Sequence, residues 1–248
     1  MRLALRLALS LLFVAPLAVA DDTDLARELL DGTDDMHRGD SSTATVTMNV
    51  KTDRWTRTLT MKSWSKGEEK SLIRIEAPAK EAGITTLKVD NNIWNYLPRV
   101  DRTMKVPAGM MSGSWMGSHF SNDDLVKESR MADDYTYAIT KRPDEAGVGQ
   151  WVVECTVKED AAVVWGKVVV TLRADKLAEQ IQYFDEDGVL ARTMAFSEVR
   201  DIGGRQVPTK MRLEPADKPG EYTEVSYQDL DFTVDVPDSM FTLQALKK

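Results

Sequence analysis

The sequence predicts a mainly β (α+β) fold, in which an antiparallel meander curls into a barrel or half-barrel and follows one helix. From Thr43 onward, apolar residues alternate with polar ones, which is the period of a strand with one buried face. Short segments of this kind recur along the chain, separated by polar turns such as those at 66–69 and 186–188. Strands at this spacing are typical of antiparallel sandwiches and barrels.

The helix is predicted at residues 21–38. Leu25, Leu29 and Leu30 make an apolar stripe at helical spacing, and three aspartates at the start suit the positive end of a helix. This segment therefore has one face to bury against a sheet.

Thirteen strands are predicted after this helix, and they fall into two groups. The first group lies at 43–50, 54–65, 72–76, 84–90, 93–97 and 103–106; the second lies at 135–140, 150–158, 165–173, 178–184, 189–199, 206–213 and 222–232. The pair Asn91-Asn92 is expected to supply a left-handed turn, and residues 239–246 a short terminal helix. No linker or repeat interrupts the series, so residues 21–248 are expected to form a single domain.

Residues 1–20 have the pattern of a secretory signal peptide. Arg2 and Arg6 precede an apolar run at 7–14, Pro16 ends it, and Ala18-Val19-Ala20 is a small-x-small cleavage pattern. The run is too short to span a bilayer. We therefore expect cleavage after Ala20 and a protein that is free in the periplasm, since no cysteine follows directly to carry a lipid anchor.

The charge of the chain excludes several classes of partner. Cleavage would leave 30 Lys and Arg against 40 Asp and Glu, a net charge of −10, which argues against nucleic acid and against adhesion to anionic membranes. No zinc spacing, P-loop or dinucleotide fingerprint occurs, so neither a metal nor another cofactor is expected. Cys155 is the single cysteine and is expected to be buried on a strand face.

The segment at 107–120 follows neither period. It contains three glycines, at 109, 113 and 117, yet it also carries several large apolar side chains. Such a loop is either a functional lid or a structural plug that packs over the end of the sheet. Directly after it, Ser121 and Asp124 have the spacing of a capping box, which predicts a helix start at Ser121.

Residues 110–125 resemble the signature of the LolA-like family of outer-membrane lipoprotein-sorting proteins, and 93–98 and 81–85 resemble the family's preceding strand and loop. The resemblance implies a half-open antiparallel β-barrel with an N-terminal helix and short lid helices around an apolar cavity for acyl chains. The family's functional arginine matches Arg54, Arg57 or Arg74. The residues expected to contact a ligand are Trp94, Tyr96, Met104, Met110, Met111, Trp115, Met116 and Phe120.

The predicted function is that of a non-enzymatic periplasmic carrier for the acyl part of a lipid or lipoprotein, which receives its cargo at an inner-membrane transporter and passes it to an outer-membrane acceptor. The alternative is a lipid-sensing module associated with an RND-type transporter. A lipid hydrolase is the third and weakest hypothesis, because Ser112 and Ser114 lie near His119 but no nucleophile-elbow motif occurs.

Overall fold

The computed structural model describes residues 18–127, 131–159, 161 and 163–247. Within these residues a single antiparallel sheet of thirteen strands has the order β6-β5-β4-β3-β2-β1-β13-β12-β11-β10-β9-β8-β7. The strands are β1 Ser41–Lys51, β2 Thr56–Lys66, β3 Lys70–Ala77, β4 Thr85–Val89, β5 Asn92–Leu97, β6 Arg102–Lys105, β7 Tyr135–Lys141, β8 Gln150–Val157, β9 Lys167–Arg173, β10 Ala178–Phe184, β11 Leu190–Ile202, β12 Arg205–Pro215 and β13 Tyr222–Asp231.

The sheet is not closed, because β6 and β7 form its two edges and do not pair with each other. It consists of two meanders, β1 to β6 and β7 to β13, which the antiparallel pairing of β1 with β13 joins at the centre. The predicted half-open antiparallel barrel is confirmed. Residues 106–127 and 131–134 lie between β6 and β7 in the chain, and we call them the crossover segment.

The inner face of the sheet carries the main apolar core. Alternate residues of β1 are buried there, including Val46 and Met48, as the period of two predicts. Leu29 and Leu30 of helix α1 (Ala18–Asp34) belong to the same cluster. Helix α1 therefore covers part of the inner face, which is the burial that its apolar stripe requires.

A second, smaller core lies on the outer face of β3 and β4. Leu72 and Leu87 point away from the main core and pack against Phe241 and Leu246 of the C-terminal segment. This segment contains two 3-10 helices, Asp238–Met240 and Ala245–Lys247, rather than the predicted helix at 239–246. The outer face of these strands is thus covered and is not open to solvent.

Two local predictions need correction. Helix α1 ends at Asp34 and continues as a 3-10 helix, Asp35–His37, rather than as α-helix to residue 38. The β4–β5 turn consists of Asp90 and Asn91, because Val89 pairs with Asn92, and Asp90 has the left-handed backbone with φ of 52°. Aspartate tolerates this conformation nearly as well as asparagine.

The predicted signal peptide lies almost wholly outside the described residues, which begin at Ala18. Among the helices of the described part of the chain, none is long and apolar enough to cross a membrane. Cys155 is buried, as predicted, and burial raises the pKa of its thiol to about 12. A thiol with this pKa stays protonated near neutral pH and behaves as a small apolar side chain.

Candidate functional site

The crossover segment contains a small hairpin around Trp115. The backbone N–H of Trp115 donates to the carbonyl of Phe120 at 2.7 Å, and that of Ser118 donates to the carbonyl of Trp115 at 2.9 Å. Met116 and Gly117 form the turn with φ of 52° and 69°, the left-handed pair that a type I′ turn requires. Gly117 suits its position, whereas Met116 occupies a conformation that is uncommon for a residue with a Cβ.

This hairpin inserts two aromatic side chains against the inner face of the sheet. Trp115 is 4% exposed and Phe120 is 6% exposed, and both belong to the main core cluster. The indole N–H of Trp115 donates to Thr86 Oγ1 at 3.1 Å, and that hydroxyl in turn donates to Asn95 Oδ1 at 2.8 Å. The crossover segment is therefore packed onto the sheet and is not a loosely held loop.

An arginine of the sheet holds the hairpin turn. Arg57 on β2 donates through Nη1 to the carbonyl of Met116 at 2.7 Å and forms an ion pair with Glu81. Of the three arginines that matched the family's functional arginine, only Arg57 has such a contact: Arg54 pairs with the neighbouring Asp53, and Arg74 donates to the carbonyl of Ala245 on the outer side. The structure thus distinguishes three candidates that the sequence left equivalent.

His119, next in the hairpin, contacts β13 and its preceding turn. Its Nδ1 lies 2.9 Å from Thr223 Oγ1 and its Nε2 lies 3.0 Å from Glu221 Oε2. The hydroxyl of Ser114 donates to the carbonyl of Ser118 at 2.5 Å. Both ring nitrogens of His119 are thus engaged by residues other than serine, so this geometry does not bring a serine nucleophile to a histidine base.

The second half of the crossover segment is fixed by the predicted capping box. Ser121 N–H donates to Asp124 Oδ2 at 2.7 Å, and Asp124 N–H donates to Ser121 Oγ at 3.1 Å. The helix that follows, α2, is short and spans Asp124–Lys127. The reciprocal bonds satisfy two backbone donors that a helix start leaves without partners.

Asp124 also forms a buried ion pair with β11. Its two carboxylate oxygens accept bonds from Arg192 Nη1 and Nη2 at 2.7 Å and 2.5 Å, and the two side chains are only 8% and 7% exposed. The guanidinium lies over the rings of Trp165 and Tyr183, 4.5 Å and 4.2 Å from their centres. The crossover segment is therefore attached at one end to β2 and at the other to β11.

Beneath Trp115 and Phe120, the inner face encloses a cavity of about 180 Å³. Its apolar wall is formed by side chains from seven strands and α2, namely Val46, Met61, Ile73, Leu125, Ile181, Met194, Phe196, Met211 and Val225. The other end of the cavity lies between the 3-10 helix at 35–37 and the β2–β3 turn, and it is polar. A cavity with an apolar wall and one polar end fits an amphiphilic molecule.

The structure brings together only some of the eight residues predicted to contact a ligand. Trp115 and Phe120 line the cavity, and Met116 packs partly buried against the same core. Met110 is 62% exposed, so one of the loop methionines remains in solvent. Met111 is half-buried, and its backbone bonds within the crossover segment, to Ala108 and Asp123.

The three predicted contacts on strands do not line the cavity. Trp94 and Tyr96 pack into the second core on the outer face. Met104 lies on the edge strand β6, opposite Asn95. The ligand-binding role of these residues stays a prediction. The cavity is also lined by residues such as Met61 and Met194, which no local sequence pattern singles out.

His37 lies at the polar end of the cavity and is held as a neutral ring. It stacks on Tyr227 with ring centres 4.3 Å apart, and its Nε2–H donates to the carbonyl of Pro208 at 2.6 Å. Burial is the main cause that lowers the pKa of His37 to about 4; the hydrogen bond to Pro208 opposes this shift, and the positive charges of Arg38 and Arg205 add to it. Protonation of this ring is therefore unfavourable in the folded state.

This lowered pKa predicts a dependence of stability on pH. An unfolded histidine titrates near pH 6.5, so between about pH 6.5 and 4 the unfolded chain binds the extra proton. Stability is then fully present above about pH 6.5 and falls as the pH drops towards 4, by up to about 3 kcal/mol from this group. Urea unfolding of the wild type and of His37→Phe at pH 7 and pH 4.5 measures this loss of unfolding free energy. A loss of the same size in both proteins would contradict the prediction.

Comparisons with known proteins agree with this architecture. A family model with the description "Uncharacterized protein" matches residues 67–248. The chain belongs to this family. No curated protein matches the sequence significantly.

Several solved structures share the LolA-like fold over nearly the whole chain. A DUF1329 family protein from Desulfovibrio piger has a TM-score of 0.80 and 23% identity, covering 91% of this chain and 99% of its own. A LolA superfamily protein from Nitrosomonas europaea has a TM-score of 0.72 and 23% identity, and the match covers 89% of this chain and 98% of that protein. A domain from Vibrio parahaemolyticus described as an outer membrane lipoprotein-sorting protein has a TM-score of 0.76 and 22% identity. This match covers 92% of this chain and 99% of that domain. These likenesses establish the fold.

Proposed function

We propose that this LolA-like protein is a periplasmic carrier that binds the acyl part of a lipid or lipoprotein in the cavity and transfers it towards the outer membrane. The observation that carries the proposal is the apolar cavity beneath Trp115 and Phe120. The described outer membrane lipoprotein-sorting role of a protein with the same fold supports it. In this proposal an inner-membrane transporter supplies the cargo and an outer-membrane acceptor receives it.

The size of the cavity requires a movement on loading. An apolar cavity of about 150 Å³ holds a molecule the size of benzene, and the cavity described here is about 180 Å³. An acyl chain of about a dozen carbons, worth about 0.8 kcal/mol per buried methylene, needs more room. The chain enters when the crossover segment lifts Trp115 and Phe120 from the inner face, so that the segment acts as a lid.

The anchors of the crossover segment suit such a lid. The hairpin turn is held through the single side chain of Arg57 and through His119, whereas the other end is held by the buried pair of Asp124 and Arg192. In this proposal the hairpin is the part that moves, because it carries the two aromatic side chains that cover the cavity. Gly117, which already has a left-handed backbone with φ of 69°, provides the flexible position in the turn.

A binding titration tests the proposal directly. We expect the purified protein to bind an apolar fluorescent probe at 1:1 stoichiometry, and dodecanoate or a lysolipid to displace it. Val225→Phe should weaken probe binding about tenfold, because the larger ring fills space that about two methylenes of ligand would occupy, worth about 1.6 kcal/mol. Val225 lines the cavity.

The matched control is Val189→Phe, which adds the same ring to an exposed turn outside the cavity. This variant should bind the probe as the wild type does. If folded wild-type protein shows no saturable binding, the carrier proposal is wrong. If both valine variants bind normally, the ligand lies elsewhere in the molecule.

A further inference from the structure

The polar end of the cavity is built by a row of side chains across four neighbouring strands. Ser42 on β1 pairs with Ser65 on β2, Ser65 pairs with Ser71 on β3, and Ser71 pairs with Lys88 on β4. Residues that pair across strands point to the same face of a sheet, and all four line the cavity. We call these four residues the polar row.

Beyond the polar row the inner face becomes progressively less polar. Two residues further into the cavity, the same strands present Ala44, Ser63, Ile73 and Thr86, and beyond them Val46 pairs with Met61. The polarity of the wall therefore changes along the length of the strands. A ligand that matches this wall has a polar group at one end only.

Lys88 is an unusual residue for a cavity wall, because lysine is rarely buried. It is only 4% exposed, and its ammonium donates to the backbone carbonyl of Glu68 in the β2–β3 turn. The buried ammonium of Lys88 therefore places a positive charge at the end of the polar row, beside the cavity.

A second cation faces the cavity from the segment after the 3-10 helix at 35–37. Arg38 lines the cavity, and its Nη1 is buried and makes no hydrogen bond within the described part of the chain. The other charged groups of the lining are Asp34, Glu68, which is exposed, and Lys70, whose ammonium pairs with Asp238 at 2.8 Å. Two cations are therefore placed inside a protein whose overall charge is −8.

We propose that the polar row and Arg38 bind the anionic head group, a carboxylate or a phosphate, of an amphiphile whose chain lies against the apolar wall. The inference rests on the carrier proposal and names the class of cargo. Guanidinium and ammonium groups form charge-assisted hydrogen bonds with such oxygens. The hydroxyl of Ser71 supplies a further donor, whereas the hydroxyl protons of Ser42 and Ser65 are engaged by His37 and by Ser42. Because the exterior is acidic, long-range attraction does not bring an anion here; recognition depends on these local groups.

Competition between ligands of equal chain length tests the head group. We expect dodecanoate and dodecyl phosphate to displace a bound apolar probe at concentrations at least about tenfold lower than dodecanol does, the ratio expected for one charge-assisted hydrogen bond. Inorganic phosphate alone should not displace the probe, because it has no chain to bury. Displacement by inorganic phosphate would show a site for the free ion and overturn the assignment to a lipid head group.

Two variants locate the effect. The two variants are Lys88→Met, which keeps the volume of the side chain, and Arg38→Gln. Each should reduce the preference for dodecanoate over dodecanol to threefold or less, because a charge-assisted contact with the carboxylate is lost. The affinity for dodecanol should stay unchanged. Arg54→Gln removes an exposed cation at the opposite end of β2 and should keep the full preference. Arg38→Gln keeps the test informative if Lys88→Met does not fold.

The outcomes separate this inference from the carrier proposal. If dodecanol competes as well as dodecanoate with the wild-type protein, the head-group site is wrong and the carrier proposal stands. If the preference survives in both cavity variants, the anion is bound elsewhere and the inference is also wrong. If no twelve-carbon ligand displaces the probe, the carrier proposal fails and the inference fails with it.

Discussion

Replacing Asp124 by alanine is expected to lower the free energy of unfolding by about 3–5 kcal/mol, because Arg192 would remain as a buried charge without its carboxylate. The two side chains share two hydrogen bonds and are almost fully buried. The variant also loses the capping bond that Asp124 Oδ2 accepts from the backbone of Ser121. Urea unfolding monitored by tryptophan fluorescence measures the change.

The control is an exposed pair of similar length. Arg173 and Asp175 lie 2.7 Å apart, but both side chains are half exposed, so Asp175→Ala should cost no more than about 1 kcal/mol. The double variant Asp124→Leu with Arg192→Met removes both charges and should recover most of the lost stability. An Asp124→Ala variant that unfolds like the wild type would contradict the burial of this pair.

Replacing Trp115 by alanine is expected to have two effects. It should lower the free energy of unfolding by about 3–5 kcal/mol, since it removes a large buried side chain and its hydrogen bond to Thr86. It should also accelerate the release of bound probe at least about tenfold, because the lid loses the contact that keeps it closed over the ligand. Stopped-flow dilution measures release, and urea unfolding measures stability.

Val170→Ala is the matched control for this prediction. Val170 is buried in the main core but does not line the cavity, so the variant should lose about 2 kcal/mol of stability and release the probe at the wild-type rate. If Trp115→Ala loses stability but releases probe at the wild-type rate, the crossover segment is a structural plug and does not gate the cavity.

Local patterns in the sequence were sufficient to predict most elements of the fold. The alternation of apolar and polar residues was enough to predict the bounds of β10, 178–184. The three-residue spacing of Ser121 and Asp124 was enough to predict the capping box. Both depend on residues close together in the chain, where backbone geometry restricts the outcome. Bounds differed by a few residues at segments such as β11, where pairing with β12 extends the strand to Ile202 beyond the predicted end at residue 199.

The candidate site was harder to predict because it is assembled from distant residues. Met61 and Val225 line the same cavity because β1 pairs with both β2 and β13, and no local pattern specifies that pairing. Alternation placed Trp94 and Tyr96 on one face of β5, but it does not say which face turns inward. That choice depends on the C-terminal segment, which covers the outer face.

The central position of the first and last strands has a consequence for the synthesis of the chain. The sheet cannot be completed until β13, Tyr222–Asp231, is available to pair with β1 and β12. Until then the nascent chain consists of two separate meanders, and long-range closure of this kind is slow. A chain stopped before Tyr222 would leave β1 and β12 as unprotected edges able to pair with other chains, so premature termination should yield aggregates and no partly active protein.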